Sequence, residues 1–150
     1  EYSDIAAAEF EQLQKLVVEA RYVTAELPGN ERYALLYQQD SLIKDNAELI
    51  RHLARVKEVR EVDQAHGLRL AASNREAWLD VDAETLYEHQ TNLEVRLAET
   101  RQFVKTLEKR LANEKYTAKA PAHLVEESRE QLKEKQALID RLETELEVLR

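Results

Sequence analysis

The chain is 150 residues long, enough for about one domain, and carries 35% charged residues, 6% aromatic residues and a net charge of −8. This composition suits long solvated helices and argues against a deep apolar enzyme pocket, and the absence of cysteine removes disulfides and thiolate metal sites. No apolar run approaches the roughly 20 residues that span a bilayer, no signal peptide precedes the first helix, and a chain that opens at Glu1 without any methionine reads as a piece of a longer protein.

In chain order, a helix is expected from about Asp4 to Leu27, capped by Ser3, with Phe10, Leu13, Leu16, Val17, Ala20, Val23 and Leu27 on one face. Pro28-Gly29-Asn30 stops it. Residues 32–38 are β-prone and short, which predicts a strand. A second helix follows from about Leu42 to Ala54, capped by Asp40 or Ser41, with Ile43, Ala47, Ile50, Leu53 and Ala54 facing inward. Val59 to Val62 is a weaker strand signal. A hairpin is clearer: Leu68, Leu70 and Ala72 alternate with polar or small residues, Ser73-Asn74-Arg75 turns, and Ala77, Leu79 and Val81 alternate again. Asp82 then caps the next helix. Residues 1–82 thus read as a small α+β domain, two helices on a small sheet of three or four mostly antiparallel strands.

Residues 83–150 read as an antiparallel helical hairpin, a coiled-coil arm folded back around Asn113 to Pro121. Leu86, Gln90, Leu93, Leu97, Thr100, Val104, Leu107 and Leu111 step by fours and threes, the spacing that keeps one seam toward a partner helix. Val125, Ser128, Leu132, Lys135, Ile139, Leu142, Leu146 and Leu149 repeat the rhythm on the way back. In an antiparallel pair the numbers of facing residues add to a constant, and from Leu111 with Val125 to Leu86 with Leu149 they add to 235 or 236. That register sets Thr100 opposite Lys135 and Gln136, a polar layer that costs stability and can fix register. A continuous helix through Lys119-Ala120-Pro121 would have to tolerate a helix-breaking proline, so pairing within one chain and a monomer are expected.

The residues at the bend carry a resemblance. Leu111, Asn113, Lys119, Ala120, Pro121, Val125 and Arg129 fit the pattern Leu-x-Asn-x-x-Phe, Lys-Ala-Pro, Val-x-x-x-Arg of the hairpin near the C-terminus of bacterial valyl-tRNA synthetases. Tyr116 stands where Phe is usual, and Ser128 where Glu is usual. Ile50-Arg51-His52-Leu53-Ala54 resembles an upstream helix of that family. Of two arginines that the family carries three apart in the first helix, Arg21 is present and Thr24 takes the other place. The resemblance implies the C-terminal, tRNA-binding region of a valine–tRNA ligase. Its partners would be a valine-accepting tRNA and the remainder of the synthetase chain, in the cytoplasm and without a membrane. The family's His-Ile-Gly-His and Lys-Met-Ser-Lys-Ser signatures are missing here. By the same resemblance no catalytic residue and no cofactor belong to this stretch, and ATP would be used by a catalytic domain elsewhere.

Taken by themselves, the residues give mixed support. Acidic chains are poor partners for phosphate, but the charge is unevenly distributed. Residues 1–94 hold 10 Lys or Arg against 19 Asp or Glu, residues 95–119 hold 7 against 3, and residues 120–150 hold 5 against 8. Arg101, Lys105 and Lys109, spaced by four, stack like charges along one helix face at roughly 0.2–0.5 kcal/mol per pair, a repulsion that an external anion relieves. Arg110, Lys115 and Lys119 add cations near the bend, Tyr116 a ring that can stack on a base or pack on a sugar, and Arg129 a weaker contact on an acidic helix. A solvated charged face with Tyr116 folded onto the hairpin end accounts for the same residues.

Other chemistry has thin support. His52, His66, His89 and His123 form no metal spacing and read as surface or helix-face residues. Trp78 reads as core or edge packing. Two glycines make no phosphate loop. Two functional classes remain open, a tRNA-positioning arm and a protein-interaction coiled coil without nucleic-acid binding. Phe103 and Leu138, apolar and outside the seam, leave room for the second, whereas no constellation of residues supports an independent enzyme.

Overall fold

Helix α1 (Tyr2–Glu26) opens the computed structural model, which describes the backbone from Tyr2 to Leu149 and the side chains from Ala6 onward. Two compact units divide it, one ending at His89 and the other running from Gln90 to Val148.

In the first unit, α1 is followed by β1 (Leu35–Tyr37), α2 (Ser41–Asp45), α3 (Ala47–Ala54), β2 (Val59–Glu61), β3 (Leu68–Arg69), a 3-10 turn (Ala71–Ser73) and β4 (Ala77–Leu79). The four strands form one sheet in the order β2-β1-β4-β3. β4 runs antiparallel to both of its neighbours, while β1 and β2 are parallel, Leu35 facing Val59. The parallel pair follows from the chain between them: α2 and α3 supply the crossover that parallel neighbours need. Leu16, Leu35, Leu36, Ile43, Ile50, Val56, Leu70 and Leu79 are fully buried and form the core. Trp78 is buried with Ala34 and Leu36, Val62 packs against them, and the Arg69 guanidinium lies over the indole at 5.5 Å.

Several expectations are corrected. The helix expected over Leu42 to Ala54 is broken at Asn46, whose side-chain amide donates to the Leu42 carbonyl (2.8 Å) and so competes with helical pairing. Phe10 is 52% exposed, because burial along α1 begins only at Leu13, and Leu53 is 40% exposed on the flank of the Ile50–Ala54 stripe. Ala72 sits exposed in the 3-10 turn rather than in a strand. The Ser3 cap falls outside the described side chains. His89 is buried, not a surface residue, and burial pulls its pKa below the usual histidine range against the opposing Glu26 carboxylate.

Two local devices hold this unit in place. Asp40 caps α2 by accepting from the Leu42 and Ile43 amides (3.1 and 3.2 Å), and it accepts two further hydrogen bonds from Arg75 (2.7 and 3.0 Å), which also reaches Gln12 of α1. Burial raises the Asp40 pKa, but Arg75 and the two amides overcome it, leaving the carboxyl below its ordinary value. Gly67 leads into β3 at φ +91, and a Cβ there would lie 2.1 Å from the Leu79 carbonyl oxygen, so only glycine fits this strand pair.

Helix α4 (Ala83–Ala112) starts behind Asp82, which accepts from the Thr85 amide and hydroxyl at 3.1 and 2.7 Å. The second unit holds the rest of α4, a short α5 (Glu114–Lys119) and α6 (Ala122–Val148). Burial falls on the expected seam: Leu93, Leu97, Thr100, Val104 and Leu107 on α4, and Val125, Ser128, Leu142 and Leu146 on α6. Leu132, Lys135 and Ile139 are half-buried. Contacts across the pair run antiparallel, Lys135 over the Phe103 ring at 5.4 Å and Arg101 to Glu143 at 3.2 Å. The buried hydroxyls are satisfied on their own helices, Thr100 donating to the Arg96 carbonyl (2.7 Å) and Ser128 to the Leu124 carbonyl (3.1 Å).

Candidate nucleic-acid interface

The bend is a helix where the sequence reads as a connecting segment. Asn113, extended at φ −81 and ψ 106, accepts from the Lys115 amide at 3.0 Å and caps α5. Ala120, held extended by the proline after it, ends α5. Pro121 then offers its carbonyl to the Leu124 and Val125 amides (3.0 and 3.3 Å) and opens α6. Asn113, followed by an acidic residue in the first helical turn, is a cap signal that was present in the sequence.

This scaffold separates the candidate residues into groups. Lys105 and Lys109 are exposed one turn apart on α4, and Lys115 and Lys119 are exposed on α5. Among the described residues none of these four ammonium groups has an ion-pair partner. Arg101 is drawn across the hairpin to Glu143, and Arg129 is paired with Glu126 at 3.5 Å on its own helix. Both pairs are exposed, so each is worth about 0–1 kcal/mol and yields readily to a stronger anion.

Arg110 and Tyr116 belong together. The Arg110 guanidinium lies over the Tyr116 ring, 5.9 Å from its centroid. The phenol oxygen reaches the Ser128 hydroxyl (3.3 Å) and the Leu124 carbonyl (3.5 Å), so the half-buried ring is folded onto α6. The two positions at which the bend departs from the family pattern, Tyr116 and Ser128, therefore meet each other. This pairing is invisible in the sequence, because it depends on how α5 lies against α6.

Elsewhere, Arg21 is exposed on α1, while the Thr24 hydroxyl is turned back to the Ala20 carbonyl (2.7 Å). Phe103 is 43% exposed with Lys135 across its ring, so part of its apolar face is covered within the hairpin. Among the described residues no three His, Asp or Glu side chains converge as a metal site, and no helix is long and apolar enough to cross a membrane.

Comparison with known proteins meets this geometry at the hairpin. Residues 80–150 match the family model described as the valyl-tRNA synthetase tRNA-binding arm. Over 86 residues, 57% of this chain, the sequence is 29% identical to a valine–tRNA ligase of Chlorobaculum tepidum, and the matched stretch is 10% of that relative's length. Capped bend, antiparallel seam and matched residues coincide, and the hairpin, within residues 80–150, is similar to the valyl-tRNA synthetase tRNA-binding arm.

Proposed function

We propose that this chain is the tRNA-positioning region of a valine–tRNA ligase, which holds tRNA by its phosphates along the upper face of α4 and at α5 and performs no chemistry itself. In this reading the partners are a valine-accepting tRNA and the remainder of the ligase chain, in the cytoplasm. The region acts as a monomer, and ATP is consumed in another domain. The observation that carries the reading is the cluster of Lys105, Lys109, Lys115 and Lys119, exposed and without carboxylate partners among the described residues of a chain whose net charge is −8. Long flexible ammonium groups supply point charges for phosphate without a preferred base pattern. Arg110 adds a fifth cation, and Arg101 and Arg129 can exchange their exposed carboxylate partners for phosphate.

A surface of this size neutralises about two to four phosphates, so log affinity should fall against log salt with a slope of roughly −2 to −3. The test is tRNA binding at two salt concentrations by the 150-residue chain and by a triple variant, Lys105→Ala, Lys109→Ala and Lys115→Ala. The triple variant is expected to bind all tRNAs more weakly by similar factors and with a flatter slope, because phosphate contacts position a ligand and carry no sequence. Binding equal to that of the parent at both salt concentrations would make the stripe a solvated helix face and favour a protein-interaction coiled coil.

A further inference from the structure

The geometry points to Tyr116 as a positioning residue whose ring carries Arg110 in place of an RNA base, so that the Arg110 guanidinium is a fixed phosphate clamp at the bend. This inference rests on the reading of the arm as an RNA-binding surface. A tyrosine among lysines at an RNA-binding tip invites a stacking role, but the surroundings of this ring assign it differently. The half-buried ring lies against α6, its hydroxyl 3.3 Å from the Ser128 hydroxyl and 3.5 Å from the Leu124 carbonyl. Its backbone is fixed in α5, which Asn113 caps. One face then receives the Arg110 guanidinium from the last turn of α4. A base could take that face only by displacing the guanidinium.

Arg110 itself differs from the other two arginines of the candidate interface. Arg101 and Arg129 are paired with Glu143 and Glu126, whereas among the described residues no carboxylate holds Arg110. A guanidinium lying on a ring keeps its N–H donors at its edge, where a phosphate can accept two of them side by side. Holding the plane in advance also removes side-chain freedom that binding would otherwise have to freeze.

The experiment uses the 150-residue chain and unfractionated tRNA, with affinities measured between about 50 and about 200 mM salt. Arg110→Gln should flatten the salt slope by the share of one phosphate, about 0.7–0.9. Tyr116→Leu should flatten it by the same amount, and the double variant no further. Tyr116→Phe, which keeps the ring, should keep the parent slope. Additive losses in the double variant would overturn the inference, as would a parent slope in Tyr116→Leu or in Arg110→Gln. The triple lysine variant separates two failures. If it also binds like the parent, the RNA-binding reading fails; if it weakens while Arg110→Gln is silent, only the clamp fails. A measurement on the parent chain stands apart from any folding defect in the variants. Ring-current shifts of the Arg110 side-chain protons should persist when tRNA is added, and their loss would mean that a base has taken the ring.

Discussion

Truncating Leu142 to alanine tests the hairpin where its seam is most closed. Leu142 and Leu107 are each 1% exposed and Leu146 is 2% exposed, so the isobutyl group is removed from a site with little access to water. The lost transfer energy of about three carbons at about 0.8 kcal/mol each is about 2.4 kcal/mol. Core Leu→Ala changes cost roughly 2–5 kcal/mol, the upper values arising where a cavity persists. Two helices can close on each other more easily than a walled core, so about 2–3 kcal/mol is expected. For a unit the size of Gln90 to Val148, that lowers the melting temperature by roughly 10–20 °C. Circular dichroism at 222 nm reports it directly, because α4 and α6 carry most of the helix. Val95→Ala, at a position 52% exposed on the same hairpin, serves as the control and should stay within about 0.5 kcal/mol of the parent. A Leu142→Ala melt that overlays the Val95→Ala melt would refute the seam.

Other outcomes follow from single contacts. Thr100→Leu should raise the urea midpoint, since the hydroxyl only doubles a helical bond to the Arg96 carbonyl and its loss leaves no buried group unpaired; a lower midpoint would mean that the polar layer is needed for packing. Gly67→Ala should cost more than 2 kcal/mol, roughly the range of backbone strain plus overpacking, because the new methyl meets the Leu79 carbonyl; recovery of a parent-like melt would show that β3 can shift away. Stability of the first unit should respond to pH through His89, whose folded pKa is depressed below 6.5 by burial. The unfolded chain then binds the proton more tightly, so the contribution is complete above about pH 6.5 and declines as pH falls toward the folded value. Glu19, raised above 4.5 by burial against the Ala72 and Ser73 amides, works in the opposite direction. The difference between the parent and His89→Gln melts from pH 7.5 to 5.5 isolates the histidine, and parallel curves would refute its role.

What the sequence determined by itself rested on periodicity and local chemistry. The buried face of the hairpin was legible because a heptad rhythm states which side chains turn inward, and Leu93 to Leu107 on α4 and Val125, Ser128, Leu142 and Leu146 on α6 are the ones that do. The Asp40 and Asp82 caps were legible because capping is decided within four residues. So was the basic block, since charge and helical spacing are both properties of the sequence. The tertiary structure decided what depends on neighbours distant in the chain. Helical spacing gave Phe10 and Leu53 an inward face, but where along a helix packing begins is set by the partner element, and both are exposed. The spacing of four histidines said nothing of His89, whose burial comes from the surfaces around it. The parallel β1–β2 pair needed the crossover through α2 and α3. At the bend, which candidate cations are paired and which are not followed from α6 running antiparallel to α4, which brings Glu143 to Arg101 and Ser128 to Tyr116 and leaves Arg110 on the tyrosine ring.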